Sequence, residues 1–127
     1  MILLDTHAWI WWVTESAHLS AKAAQAIAKA NSLGVHIISC WEVAMLVEKG
    51  RISFKQDVAE WVDLALQRPK VTLLNFEPKT AVLAARLKDF HGDPADRFLA
   101  ATCLTHNIPL VTKDKKIHDW QQINVIW

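Results

Sequence analysis

Short apolar runs alternate along the chain with longer segments in which apolar residues recur every three or four positions. The short runs predict buried strands at residues 2–4, 35–38, 71–76, 109–112 and 124–126. The longer segments predict amphipathic helices at residues 8–13, 20–30, 39–49, 57–65, 78–90 and 95–106. Because strands that alternate with helices pair in parallel, the pattern predicts a three-layer α/β/α sandwich with a central parallel sheet.

Polar residues at the boundaries of two predicted helices support these assignments. Ser39 and Glu42 match the S-x-x-E capping box, and Gly50 is suited to ending the same helix. In the stretch HGDPADRFLAATC, Asp93 stands at an N-cap position and is followed by a proline that suits the first turn. Asp96 then falls at the third helical position, where the helix dipole favours a carboxylate.

Size and composition restrict the class of protein. The 127 residues contain no repeat or linker, so we predict a single domain over residues 1–127. The net charge of +1 excludes a globally basic surface, so any nucleic-acid contact must be a local patch. The N-terminus has no basic leader, and no apolar run is long enough to span a bilayer. Cys40 and Cys103 lie in apolar segments that suit reduced thiols, so we expect a soluble cytoplasmic protein without membrane contact.

Four acidic residues lie near one edge of the predicted sheet. Asp5 directly follows the first strand, Glu42 lies one helical turn after the second, and Asp114 lies two residues beyond the fourth. Asp96 opens a helix that leads into the fourth strand, so the start of this helix should lie at the same edge. Ligands of parallel sheets bind beyond the carboxyl ends of the strands. We therefore expect these four carboxylates to converge.

Each of these acids also has a purely structural explanation. Asp5 and Asp114 could cap a helix or a turn, and Glu42 could be the returning half of a capping box. Four independent caps give no reason for convergence, whereas a metal site requires it. A cluster of carboxylates needs a cation to stay ionised, and an all-oxygen donor set favours Mg²⁺ or Mn²⁺. Such an ion can activate a water for attack on a phosphodiester.

Four segments carry a family resemblance: LLDTHAWIWW, ISCWEVAMLVEKGRI, GDPADRFLAATC and PLVTKD. In this order they resemble the successive motifs of a PIN domain, and more narrowly those of the VapC-type ribonuclease toxins of bacterial toxin–antitoxin pairs. The resemblance covers nearly the whole chain. It implies metal-dependent cleavage of RNA, an antitoxin partner, and contact between two copies of the chain as a homodimer. It also implies that the metal ligands are Asp5, Glu42, Asp96 and Asp114, with Asp93 kept as the cap.

Neighbouring residues have weaker signals. Thr112 and Thr6 could hold an acid or a metal-bound water, or could be ordinary threonines at the end of a strand and the start of a helix. His7 has no partner that would fix it as a general base, so we expect it to face its helix. No zinc-binding spacing and no glycine-rich phosphate loop is present. Two basic clusters, Lys113/Lys115/Lys116 and Lys49/Arg51/Lys55, could face solvent or hold an RNA backbone.

The first predicted helix is apolar around its whole circumference from Trp9 to Val13. Trp9, Trp12 and Val13 share one face by their spacing, so we expect Trp11 to point outward. An exposed aromatic residue indicates a partner surface, with base stacking as the second option. We favour contact with the antitoxin or with a second copy of the chain.

A rival hypothesis is a non-catalytic, receiver-like signalling or binding module on a similar sheet. A receiver requires paired acids after the first strand and an aspartate after a middle strand. This chain has a single Asp5 at the first position, and Glu77 rather than an aspartate follows the third strand. A haloacid-dehalogenase phosphatase requires D-x-D after the first strand, which the triplet starting at Asp5 does not provide.

Overall fold

The computed structural model describes all of residues 1–127. Its five strands are β1 Ile2–Leu4, β2 Leu33–His36, β3 Val71–Leu74, β4 Leu110–Val111 and β5 Val125–Ile126. Its seven helices are α1 Thr6–Val13, α2 Ala21–Lys29, α3 Ile37–Glu48, α4 Val58–Leu66, α5 Pro78–Arg86, α6 Pro94–His106 and α7 Lys115–Trp120. Six of these helices and all five strands correspond to elements that the apolar pattern predicted.

The five strands form one sheet in the order β3-β2-β1-β4-β5. Every neighbouring pair is parallel, so the predicted parallel sheet is confirmed. β1 lies at the centre between β2 and β4, and the strand order reverses there. The segments that follow these three strands therefore meet at one edge of the sheet.

The side chains of β1 divide the apolar core into two parts. Ile2 and Leu4 belong to a large cluster that includes buried residues of α1, α2, α3 and α4. Leu3 belongs to a smaller cluster with Leu99 of α6 and Ile117 of α7. Because successive side chains of a strand point to opposite faces, helices cover both faces of the sheet. The predicted three-layer sandwich is confirmed.

Strand β2 and helix α3 meet two residues earlier than predicted. His36 ends the strand, and its Nδ1 accepts the backbone N–H of Ile38 at 3.0 Å, which caps α3. Burial lowers the pKa of His36 to about 4, so the accepting nitrogen stays unprotonated. The predicted capping box is therefore wrong, since Ser39 is buried within the first helical turn. Gly50 follows the end of the helix as predicted, in a left-handed conformation with φ of 68°.

Helix α5 ends earlier than its apolar spacing predicted. It stops at Arg86, so Leu87 and Phe90 lie in the following loop. The guanidinium of Arg97 in α6 donates to the carbonyl oxygens of Ala84 at 2.9 Å, Leu87 at 2.9 Å and Phe90 at 3.0 Å. Carbonyl groups at the end of a helix lack intrahelical partners. Arg97 satisfies them from another helix, which is information that local periodicity does not contain.

Helix α7 was not predicted, because the sequence indicated only a turn after Asp114. This aspartate is its N-cap and accepts the backbone N–H of Lys116 at 2.8 Å. Six residues are too few for a periodic apolar signal. Strands β3, β4 and β5 are also shorter than the predicted ranges, and β4 pairs with β5 through only two residue pairs.

Both cysteines are free thiols. Cys103 is buried against the smaller core, and burial raises the pKa of its thiol to about 12, so it stays protonated. Cys40 is half-buried, with a pKa that burial also raises. No helix in this fold has the length and apolar character that crossing a membrane requires.

Candidate metal site

The segments after β1, β2 and β4 enclose an open cavity of about 420 Å³. The residues that line it are Asp5, His7, Trp11, Glu42, Asp93, Asp96, Lys113 and Asp114. All four acids that were expected to converge are therefore brought together. Asp93, which was expected only to cap a helix, adds a fifth carboxyl group to the cavity wall.

Three of the aspartates in the cavity also cap helices. Asp5 caps α1 by accepting the backbone N–H of Ala8 at 2.8 Å. Asp93 caps α6 by accepting the backbone N–H of Asp96 at 3.1 Å, as the sequence predicted. Asp114 caps α7. The capping explanation and the convergence are thus both correct, because the helices of this edge begin at the cavity.

Thr6 orients Glu42 across the gap between α1 and α3. The hydroxyl of Thr6 donates a hydrogen bond to Oε1 of Glu42, and its Oγ1 lies 3.0 Å from Oγ of Ser39. Thr6 and Ser39 are both buried. Ser39, which was predicted to cap α3, instead supports the threonine that fixes Glu42.

Thr112 connects the acids of the two central strands. It is fully buried at the end of β4, and its Oγ1 accepts the backbone N–H of Asp114 at 3.1 Å. Its side chain also hydrogen-bonds to the carboxylate of Asp5 and lowers the pKa of that group. Nε2 of His118 lies 2.9 Å from the carbonyl oxygen of Thr112, which holds the strand end in position. This geometry favours a role in orienting acids over that of an ordinary strand-end threonine.

Burial and like charge raise the pKa values of the clustered carboxyl groups. Burial raises the pKa of Asp96 from 3.8 to about 8, and the charge of Asp93 is the next cause. Burial also raises the pKa of Asp5 to about 6 and raises the pKa of Glu42 above its usual value. These shifts mean that the cluster binds protons near neutral pH when no cation balances its charge.

His91 joins the acids from the loop between α5 and α6. Its Nε2 lies 3.3 Å from Oδ2 of Asp96 and 3.9 Å from Oδ2 of Asp114. The potential ligand atoms of these three residues all lie within 4.8 Å of one another, which is compatible with binding of one metal ion. Asp5 and Glu42 line the same cavity but do not belong to this tighter group.

No sequence pattern indicated that His91 would lie beside the acids. The only available signal was its position at the start of the HGDPADR stretch, five residues before Asp96. A histidine in an irregular loop has no periodicity that would indicate where its side chain points. Its contact with Asp114 in particular depends on how the loop packs.

Trp11 forms a wall of the cavity rather than an outward surface. Its ring packs against those of His18 and Trp127, with centroid separations of 5.3 and 5.8 Å. The expectation that Trp11 points outward is therefore wrong, because the C-terminal residue of the chain partly covers it. The exposed tryptophan is instead Trp41 on α3, with 57% of its surface accessible.

The same wall carries the positive charge of the cavity. Nζ of Lys113 lies 5.8 Å from the ring centroid of Trp11. His7 does not simply face its helix, since it is exposed at the cavity with its ring 5.5 Å from that of Trp11. Lys115, from the same basic cluster as Lys113, does not line the cavity. Its Nζ lies 2.9 Å from Oδ2 of Asp119. The second basic cluster, at residues 49, 51 and 55, does not line this cavity.

Comparisons with known proteins agree with this architecture. The chain is 39% identical over 117 residues to Ribonuclease VapC22 from Mycobacterium tuberculosis (strain ATCC 25618 / H37Rv), covering 91% of this chain and 88% of that protein. VapBC2 from Rickettsia felis bound to a promoter DNA fragment shares the fold with a TM-score of 0.71 at 19% identity, over 98% of this chain and 97% of that chain. A toxin–antitoxin complex from Klebsiella pneumoniae shares it with a TM-score of 0.70 at 19% identity, over 100% and 97% of the two chains. Residues 2–121 match the PIN domain family, and the chain therefore belongs to that family.

Proposed function

We propose that this chain is a metal-dependent endoribonuclease and the toxin of a toxin–antitoxin pair. The observation that carries the proposal is the convergence of four carboxylates, from four separate segments, on one cavity. Capping explains Asp5 and Asp114 individually, but it does not explain a shared cavity that also contains Glu42 and Asp96. The 39% identity to a protein named as a ribonuclease supports RNA as the substrate.

The donor chemistry fits Mg²⁺ or Mn²⁺, since carboxylate oxygens are ligands that both ions accept. The pKa of Asp96 is about 8 because the group is buried among other acids, and a bound cation would remove the repulsion. The residues proposed to hold the metal are Asp5, Glu42, Asp96 and Asp114. A cation held by these residues would neutralise charge that develops on the phosphodiester and would lower the pKa of water.

Thr6 and Thr112 are proposed to hold the carboxylates in the geometry that the cation needs. Thr6 donates to Glu42, and Thr112 hydrogen-bonds to Asp5. Because both threonines are buried, their hydroxyls have no competing water, and the acids cannot rotate freely. Fixed ligands of this kind reduce the reorganisation that metal binding would otherwise require.

Lys113 and Trp11 are proposed to contact the RNA. They form the non-acidic wall of the cavity, so a strand that brings a phosphodiester to the acids passes beside them. A lysine attracts the phosphate backbone, and an aromatic ring stacks against an unpaired base. This combination favours single-stranded RNA over a paired helix.

Water is proposed as the direct nucleophile, because no serine, threonine or cysteine lines the cavity. His7 is the only histidine that lines the cavity. It makes no hydrogen bond to a carboxylate that would fix its tautomer, so we assign it no role as a base. The proposed reaction therefore relies on the carboxylates and on the cation that they would hold.

The proposed partners are an antitoxin protein and a second copy of the chain. The fold shared with a toxin–antitoxin complex from Klebsiella pneumoniae supports the antitoxin. A toxin that cleaves cellular RNA acts in the cytoplasm, which we propose as the location. Two free thiols agree with a reducing compartment.

The receiver-like alternative has no support in the geometry. The acid that follows β3 is Glu77, and its Oε1 lies 2.8 Å from Nε2 of His106. Glu77 does not line the acidic cavity. A receiver would need an acid from a middle strand in that cavity.

The test is cleavage of a labelled single-stranded RNA by purified protein. Activity should require added Mg²⁺ or Mn²⁺, disappear in EDTA, and be absent in an Asp96→Asn variant purified in parallel. Coexpression with the product of a small neighbouring reading frame should suppress the activity and yield a stable complex. Cleavage that persists at the parent rate in Asp96→Asn and in EDTA would overturn the proposed function.

A further inference from the structure

His91 lies beside the acidic cavity, against Asp96 and Asp114, and its Nε2 has no hydrogen-bond partner. Its Nε2 is buried and makes no hydrogen bond, although Oδ2 of Asp96 lies only 3.3 Å away. A buried polar nitrogen without a partner is costly, so its position requires an explanation. Oδ2 of Asp114 lies on its other side at 3.9 Å.

The loop holds His91 in this position through its neighbours. The ring of His91 stacks on Phe90, with centroids 4.7 Å apart and planes inclined by 21°. Phe90 in turn contacts Trp120 edge-on at 4.8 Å. Arg97 donates to the carbonyl oxygens of Phe90 at 3.0 Å and His91 at 3.2 Å. The backbone and the ring are therefore both constrained before any ion binds.

We propose that Nε2 of His91 is a metal ligand, so that the site combines nitrogen and oxygen donors. The inference rests on the proposed function, because it concerns the ion that the acids would hold. The ligand atoms of His91, Asp96 and Asp114 lie within 4.8 Å of one another, a separation that a single ion can bridge. Nε2 carries a lone pair in the neutral ring when Nδ1 holds the proton.

A nitrogen ligand changes which ion the site prefers. Mg²⁺ favours oxygen ligands and retains its waters, whereas imidazole suits the later first-row transition ions better than Mg²⁺ or Mn²⁺. The site should therefore favour Co²⁺ over Mg²⁺ more strongly than carboxylates alone would, with Mn²⁺ between the two ions. His91→Gln should reduce this preference while leaving the carboxylates in place.

The experiment is pulsed EPR on the Mn²⁺-loaded full-length protein, which detects nitrogen bound to the ion independently of activity. The parent protein should show a strong ¹⁴N coupling, and labelling histidine with ¹⁵N should convert it to a ¹⁵N coupling. The coupling should be absent in His91→Gln and retained in His7→Gln, the matched control, since His7 lines the cavity that holds the acids. Mn²⁺ affinity should fall at least about tenfold in His91→Gln, because loss of even an outer-shell partner of a ligand costs that much, and Mg²⁺ affinity should fall less.

Three results would overturn the inference. Bound Mn²⁺ without histidine coupling in the parent would mean that His91 contacts the acids but does not bind the ion. Coupling that disappears in His7→Gln but persists in His91→Gln would assign the nitrogen to the other histidine. A failure of Mn²⁺ to bind would overturn it as well. The first two results leave EDTA-sensitive RNA cleavage intact, which separates them from failure of the proposed function.

Discussion

The carboxylate of Asp93 accepts the backbone N–H of Asp96 at 3.1 Å, so one aspartate caps the helix on which the other is carried. Both side chains reach the same cavity. The charge of Asp93 also contributes to the raised pKa of Asp96. The two residues therefore differ in structural position, since Asp93 caps α6 and Asp96 lies in its first turn.

Substitution of these two aspartates should separate stability from activity. Asp93→Ala should lower the free energy of unfolding by about 1 kcal/mol, because an N-cap is lost. Asp93→Asn should keep the cap and change stability little. Asp96→Ala should abolish RNA cleavage without a comparable loss of stability. Chemical denaturation and RNA cleavage assays would measure both effects, and complete loss of activity in Asp93→Asn would instead make Asp93 a metal ligand.

Asp5→Asn should abolish cleavage while preserving the fold. In the parent, Oδ1 of Asp5 accepts the backbone N–H of Ala8 at 2.8 Å. The amide oxygen of an asparagine can accept the same N–H, so the helix cap should be retained. The substitution removes a buried charge next to other acids, so the melting temperature in EDTA should rise. Circular dichroism and RNA cleavage on the same preparation would check this. Parent-level cleavage by Asp5→Asn, free of contaminating nuclease, would contradict the assignment.

The metal-free protein should lose stability as the pH rises from 6.5 to 8. The pKa of Asp96 is about 8 in the fold against 3.8 ordinarily, so in this interval the folded chain retains a proton that the unfolded chain has released. Stability falls with rising pH wherever the folded state binds more protons. The interval starts at pH 6.5 because of His36, whose pKa is lowered from 6.5 to about 4 in the fold. Below pH 6.5 the unfolded chain binds a proton at His36 that the folded chain does not, so this group makes stability rise with pH there.

Denaturation in EDTA across this interval would measure the slope. Asp96→Asn should flatten it, since the titrating group is gone. Saturating Mn²⁺ should stabilise the parent more at pH 8 than at pH 6.5, because less proton displacement is then required. A parent whose stability rises with pH to the same extent as that of Asp96→Asn would contradict the assignment.

Trp11→Ala should weaken binding of single-stranded RNA by about 1–3 kcal/mol, the range for loss of one base-stacking contact. The ring lines the acidic cavity beside Lys113. Trp41→Ala is the matched control, because Trp41 is exposed on α3 and outside the cavity. Fluorescence anisotropy with a catalytically inactive Asp96→Asn background would measure the affinity. Unchanged RNA affinity with weaker antitoxin binding would restore the hypothesis that the first helix is a protein-binding surface.

Local sequence patterns were sufficient for the layered architecture and for several helix starts. The alternation of short apolar runs with helical spacing depends only on which residues must be buried, so it predicted the parallel sheet. The caps at Ser20, Asp57 and Asp93 depend on a side chain and a backbone group within three residues. Asp5, Glu42 and Asp114 follow predicted strands, and Asp96 begins the helix that leads into one of them. Because the ends of parallel strands meet at one edge of a sheet, these positions predicted that the four acids would share that edge.

Contacts between distant segments were decided by the tertiary structure alone. The end of α5 depends on the guanidinium of Arg97, and the orientation of Trp11 depends on its packing against Trp127. His91 reaches Asp114, 23 positions further along the chain, only because the loop before α6 folds back against the end of β4. The sequence by itself determined the five strands, six of the seven helices and the edge of the sheet that carries the acids, since these follow from local burial and capping. Which side chains complete the site depended on packing between elements, because no local pattern specifies the distance between two side chains carried by different elements.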